Sequence, residues 1–154
     1  MQRQTLDMHL LAVRAWQIVV DSDRSRNVPM AIGRLPPAVG DEALVAQVWQ
    51  NLLDNAWKYT ARVDRPEVEV DTFEEAGRTW YGVTDNGAGF EMSRAQNLFE
   101  PFQRMHSNAD FSGTGIGLTL VRRVVTAHGG EVRLRSDVGT GTVVEFCLAP
   151  RPVG

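Results

Sequence analysis

The chain contains a single lysine, Lys58, while the other 15 of its 16 basic residues are arginine. It contains a single cysteine, Cys147, which excludes an internal disulfide and fits a reducing compartment. No apolar run approaches the ~20 residues that a membrane-spanning helix needs. The apolar stretch from Leu10 to Val20 carries Arg14 and Gln17, and no small-residue cleavage site follows it, so it is not read as a secretory signal. Positive charge is not in excess: a formal net charge of -3 and a pI near 5.6 argue against a general nucleic-acid binder. An anionic ligand would need a local positive pocket. Internal repeats and low-complexity tracts are also lacking. These absences lead to the expectation of a soluble, cytoplasmic chain with no nucleic-acid partner and no membrane contact of its own, compatible with a membrane-anchored parent protein.

What is present suits one domain with a real core: 154 residues, 43% hydrophobic and 23% charged. Leu6, Leu10, Val13 and Val20 recur at helical spacing, with Gln17 interrupting the stripe, and "DSDRSRN" ends that helix. "VPMAIG" reads as a short strand and "RLPPAVGD" as a loop running through two prolines to an N-cap at Asp41. From Glu42 to Tyr59 the period is helical, with Val45, Val48, Leu52 and Ala56 on one stripe. Two strand-like runs, "PEVEVDTFEEA" and "RTWYGVTD", meet near Gly77. A polar, glycine-containing region from Asn86 to Gly115 follows, with a short helical stretch around Ser93–Phe102. "IGLTLVRRVVTAHGG" is a helix with a glycine stop, and "EVRLRS" and "TVVEFCLAP" are closing strands. The pattern predicts an α+β two-layer sandwich, a mixed sheet covered on one face by about three helices.

The lone lysine lies in "NLLDNAWKYT". Asn51, Asn55 and either Lys58 or Tyr59 share a helix face by the i, i+4 rule, a polar face where the Val45–Val48–Leu52 stripe is apolar. Two amide oxygens one turn apart can serve as neutral ligands for a hard cation such as Mg2+. A lysine one turn on can set a compact charge against phosphates. A solvated helix face explains the same triple.

"VTDNGAGF" puts Asp85 at the end of a strand, with Gly87 and Gly89 behind it. Asn-Gly is a hairpin signal, but "EMSRAQNLFE" lacks the period of a second strand. A carboxylate there, with glycines letting a ligand approach the backbone, can accept a hydrogen bond from an exocyclic amine. In "SGTGIGLTLVRRVV", Gly113, Gly115 and Gly117 run straight into a helix, whose N-terminal N–H groups can cradle a phosphate. No lysine follows the glycines, so this is not a Walker A loop. Nor is it a dinucleotide fingerprint, because the glycines are spaced by two and no strand precedes them.

Taken in order, these motifs resemble the catalytic and ATP-binding domain of sensor histidine kinases, within the GHKL (Bergerat-fold) superfamily. "NLLDNAWKYT" resembles its N box, "DNGAGF" its G1 box, "LFEPF" its F box and "GTGIGL" its G2 box, and "GTGTVVEF" its final glycine–threonine segment. The similarity runs from about Leu35 to Pro150. It implies that Asn51 and Asn55 hold Mg2+, with Lys58 on the phosphates of ATP and Tyr59 beside the nucleotide. Asp85 would take the adenine amino group, Gly87 and Gly89 would shape its pocket, and Thr142 would lie near the adenine. Gly113, Gly115 and Gly117 would bound the phosphates, and Thr114 and Leu118 would also bind the nucleotide. Glu91–Ser112 would be a lid over ATP anchored by Phe99 and Phe102, with Arg104 near the γ-phosphate. The implied division is an N-terminal helix over 1–27, which is the domain's own or the trailing end of a missing bundle, then an ATP-binding domain over 28–150 and a tail over 151–154.

Hydrolases of the superfamily, of the gyrase, mismatch-repair and heat-shock chaperone kinds, carry a glutamate four residues before the metal-binding asparagine. Here that position is Asn51, which has no basic carboxylate. The resemblance therefore implies phosphoryl transfer to a protein. Of the three histidines, His9 is followed by "LLAVRAW" with neither acid nor proline, His106 falls in the lid, and His128 in "AHGG" is a helix end. The acceptor is thus expected on a histidine-bearing dimerisation bundle outside this chain, in the same parent protein or a partner, with a response regulator downstream. Two other readings stand beside this one: a nucleotide-binding regulatory module without transfer activity, and an anti-sigma-type serine kinase.

Overall fold

The computed structural model describes residues 1–89 and 116–149, and of Ile116 and Gly117 only the backbone. A five-stranded mixed sheet has the order β2-β4-β5-β7-β6, built from β2 (Met30–Ile32), β4 (Val68–Glu75), β5 (Arg78–Asp85), β6 (Glu131–Asp137) and β7 (Gly141–Cys147). Its β2–β4 pair is parallel and the others are antiparallel. Among the described residues, three helices, α1 (Met8–Ser22), α2 (Glu42–Tyr59) and α3 (Ile116–Ala127), complete the α+β sandwich. Among the described residues, no helix is long and apolar enough to cross a membrane.

α2 begins and ends where its sequence pattern predicts. The Asp41 carboxylate caps it by accepting the Leu44 N–H at 3.1 Å. Val45, Val48, Leu52 and Ala56 are buried as expected, and so are Trp49, Leu53 and Trp57, because α2 is packed between α1, α3 and the sheet. Trp49 meets Phe146 and Tyr81 edge-on, with ring centroids 5.2 and 6.0 Å away. That helix–sheet contact is the centre of the core.

Two expectations are corrected. β1 (Arg3–Leu6) and β3 (Ala38–Asp41) form a separate antiparallel pair that periodicity did not reveal. Each is four residues long and exists through pairing across more than 30 residues. The buried stripe of α1 is also different. Leu6 belongs to β1, while Leu10 and Val13 are 40% and 39% exposed. Met8, Leu11, Ala12, Ala15 and Val19 face inward instead. Both stripes have helical spacing, and the alanines let the α1 backbone approach α2, so close packing selects the face that a count of large residues overlooks. β1 and α1 thereby share one core with α2.

Candidate functional site

The site forms where the C-terminal turns of α2 meet the end of β5. Along β5, Tyr81, Val83 and Asp85 alternate onto one sheet face, so the period that buries the first two buries a carboxylate next. Asp85 is 6% exposed. The Gly87 N–H donates to its Oδ1 at 2.8 Å. Burial pushes the Asp85 carboxyl up to about 6, against the opposing pull of the Gly87 and Thr142 backbone N–H groups. Burial also raises the neighbouring Tyr59 phenol to about 12, helped by the Asp85 charge.

The segment after Asp85 is held by its backbone. Ala88 N–H donates to the Tyr59 carbonyl at 3.1 Å, and the Ala88 carbonyl accepts from Gly139 N–H at 2.7 Å. One residue thus ties the end of α2 to the β6–β7 turn. A side chain at Gly87 would place its Cβ 2.4 Å from the Tyr59 carbonyl oxygen and 2.8 Å from Asp85 Oδ1, so only glycine fits between helix and carboxylate. Gly89 packs against the carbonyl of Asp137. The hairpin reading of Asn-Gly does not hold: β5 ends at Asp85 and pairs with β4 and β7.

On α2, Asn55 and Tyr59 are buried and Asn51 is half-buried. The Nδ2 atoms of Asn51 and Asn55 are buried without a hydrogen-bond partner among the described residues. Orphaned amides of this kind are rare inside proteins and call for an explanation, such as a bound water or ion, and the Nε1 atoms of Trp49 and Trp80 share the condition. Each amide can present its oxygen by a half-turn. Among the described residues, no cluster of three or more His, Cys, Asp or Glu could hold a metal. Two neutral amide oxygens one turn apart are compatible with a hard cation whose remaining ligands are water and ligand oxygens. Lys58 lies one turn on and pairs with Asp54 at 3.0 Å, both side chains being about a third exposed. Arg26 closes the helix end, its guanidinium 4.6 Å above the Trp57 ring and bonded to the Trp57 carbonyl and Thr60 hydroxyl.

Asn55, Tyr59, Asp85 and Thr142 line one cavity with Leu52, Leu118 and Val144, about 10 Å³ in volume. That is room for roughly one water. The structure thus brings together Asn55, Tyr59, Asp85, Gly87, Leu118 and Thr142, with Asn51 one turn back on α2 and outside the cavity wall. Gly117 lies in the first turn of α3. Phe99, Phe102, Arg104, Gly113, Thr114 and Gly115, with the Ser93–Phe102 helix and the lid, lie outside the described residues.

Three residues of the site were missed by sequence reading. Asn86 accepts from Glu67 N–H at 2.8 Å and donates to the Arg65 carbonyl at 2.7 Å, locking the α2–β4 loop against β5. Its place in an Asn-Gly pair read as turn chemistry. Gly141 has φ +132°, and a Cβ there would lie 2.0 Å from the Asp85 carbonyl oxygen. The repeated glycines of "GTGT" were its signal. Ser136, whose hydroxyl lies 2.8 Å from that of Thr142, had none, since serine in a strand is unremarkable. His128 has a structural place: Nδ1–H donates to the Val124 carbonyl at 2.8 Å, and Nε2 accepts the Asp41 N–H at 3.0 Å.

Residues 40–152 match the family model described as histidine kinase-, DNA gyrase B-, and HSP90-like ATPase. The chain is 36% identical over 130 residues to the methanogenesis regulatory histidine kinase FilI of Methanothrix harundinacea, covering 84% of this chain and 14% of that protein. It is 31% identical over 110 residues to the sensor histidine kinase WalK of Bacillus subtilis, covering 70% of this chain and 18% of that one. It therefore spans less than a fifth of the length of these curated relatives. Among solved structures, the mycobacterial sensor histidine kinase MprB is similar with a TM-score of 0.79 at 25% identity, covering 99% of this chain and 100% of that one. The catalytic domain of the histidine kinase ThkA has the same fold, with a TM-score of 0.77 at 18% identity over 96% and 95% of the two chains.

Proposed function

The chain belongs to the histidine kinase-, DNA gyrase B- and HSP90-like ATPase family, and from that premise we propose that it binds ATP with Mg2+ and transfers the γ-phosphoryl group to a histidine on a helical bundle outside this chain. The observation that carries the reading is the cavity lined by both the buried Asp85 carboxylate and Asn55, whose amide nitrogen has no partner among the described residues. One group suits an exocyclic amine and the other suits a cation.

In this reading Asp85 accepts the adenine amine, with Gly87 N–H holding the carboxylate and Thr142 beside it. Asn51 and Asn55 would hold Mg2+ through their amide oxygens. When bound, the ion neutralises charge on the phosphates. Lys58 exchanges its Asp54 partner for a phosphate oxygen, a small cost for a half-exposed pair. Phosphoryl transfer asks the protein chiefly for positioning and charge. Asn51, four residues before Asn55, offers no basic carboxylate, which favours transfer over activation of water. Arg104, the anchors Phe99 and Phe102, and Gly113, Thr114 and Gly115 complete the site by resemblance. A response regulator would take the phosphoryl group onward, in the cytoplasm.

The test is to incubate the chain with γ-labelled ATP, with and without a separately purified histidine-bearing bundle. Acid-labile label on the bundle, and none on this chain alone, is the expected result. Acid-stable label would identify a serine kinase. Binding of ATP without transfer to any cognate bundle would leave a regulatory module.

A further inference from the structure

We propose that Ser136 sets the direction of the Thr142 hydroxyl proton, making Thr142 a hydrogen-bond acceptor toward the base pocket and so selecting a base with an exocyclic amine over one with a carbonyl at that place. The inference rests on the nucleotide-binding reading and deepens it.

Ser136 and Thr142 are register partners across β6 and β7 and are 4% and 3% exposed. Their hydroxyl oxygens lie 2.8 Å apart, and Ser136 Oγ is also 3.0 Å from the Gly141 carbonyl oxygen. A hydroxyl has one proton, and a carbonyl can only accept. Ser136 therefore donates to Gly141, and the bond between the two hydroxyls must run from Thr142 to Ser136. The Thr142 proton is committed to its own strand pair, and what Oγ1 has left to offer is lone pairs.

Thr142 lines the same cavity as the Asp85 carboxylate. The wall is then two acceptors, which a 6-amino purine can satisfy. A 6-oxo purine carries a protonated ring nitrogen beside its carbonyl and can still offer that N–H to Asp85, so the carboxylate alone rejects it weakly. Its carbonyl oxygen, however, meets the Thr142 lone pairs, and a buried acceptor without a donor is costly. The sign survives if one water fills the small cavity. Its two protons go to Asp85 and Thr142, and lone pairs again face the ligand.

The experiment measures the affinities of ATP and inosine triphosphate, which differ in this respect at the 6-position, for the whole chain with Mg2+. Wild type, Ser136→Ala, Ser136→Thr, Thr142→Val and the Ser136→Ala/Thr142→Val double variant are compared. Because a ratio of affinities is independent of the folded fraction, a destabilised variant still reports. Ser136→Ala is expected to narrow the ATP preference by roughly three- to tenfold, mainly by gaining inosine triphosphate. Ser136→Thr should keep the preference, and Ser136→Ala should add nothing in the Thr142→Val background. Equal loss of both nucleotides in Ser136→Ala, or additive effects in the double variant, would reduce Ser136 to packing and overturn the proposal. If wild type binds ATP and the ratio does not move, this inference alone fails. If wild type binds neither nucleotide, the nucleotide reading fails and takes this one with it.

Discussion

The Gly87 backbone N–H lies 2.8 Å from one oxygen of the Asp85 carboxylate, at the end of a strand that buries Tyr81 and Val83 on the same face. A carboxylate can accept from Gly87 on one oxygen and from a ligand amine on the other. An asparagine can do only one of these, because its second terminal atom is a donor. Asp85→Asn is therefore expected to lose at least about tenfold in ATP affinity, the scale of a hydrogen bond to a charged group. It should melt no lower than wild type at neutral pH, since a buried charge has been removed. Calorimetric titration and a thermal melt on the same sample check both halves.

The raised Asp85 carboxyl also has a pH signature. Its folded value of about 6 exceeds the ordinary 3.8, so between those values the folded state holds a proton that the unfolded state has released. Stability contributed by this group is full below pH ~4 and is lost as pH rises toward 6, about 3 kcal/mol in all. Nucleotide binding runs the other way, because a protonated Asp85 no longer accepts on both oxygens, and it should weaken as pH falls through 6. Denaturant unfolding of wild type and Asp85→Asn across pH 4–7 isolates the effect. Parallel curves for the two proteins would refute it.

Asn55→Ala separates binding from stability. The substitution removes a buried amide nitrogen that has no partner among the described residues, so little stabilising contact is lost. Unfolding free energy is expected to change by less than about 1 kcal/mol. ATP affinity should fall, and its dependence on Mg2+ should largely disappear. A large loss of stability with Mg2+-dependent binding intact would assign Asn55 to the fold instead.

Lys58→Ala removes one half of a half-exposed i, i+4 ion pair with Asp54. Such pairs contribute about 0.3–0.5 kcal/mol, so the melting temperature should barely move. Phosphoryl transfer to a supplied bundle should fall tenfold or more, and Lys58→Arg should restore little of it, since a guanidinium fork differs in shape and hydration from an ammonium. Recovery by arginine would mean that charge alone suffices there.

Much of the site was legible because its residues sit on strongly periodic elements. Asp41 announced α2, and the stripe Val45, Val48, Leu52 and Ala56 fixed which face of it is polar. Asn51 and Lys58 lie towards that polar face, while Asn55 flanks the stripe and is buried beside it. The strand reading of "RTWYGVTD" put Asp85 at a strand end, but the run Trp80–Val83 is buried throughout, so the direction of the carboxylate came from the fold. The motifs added what periodicity could not, namely the proposal that the helix end and the strand end serve one ligand.

The local chain, then, determined the elements that carry chemistry and the order of the glycine segments, because caps and apolar periods act over a few residues. The tertiary structure decided the rest. Pairing of β1 with β3 and the choice of the α1 face depend on partners distant in sequence and on close packing around Ala12 and Ala15. The register of β5, β7 and β6 sets Thr142 opposite both Asp85 and Ser136. Only that register turns an ordinary strand serine into the residue that orients a hydroxyl, since a hydrogen bond's direction is settled by which groups the fold brings within 3 Å.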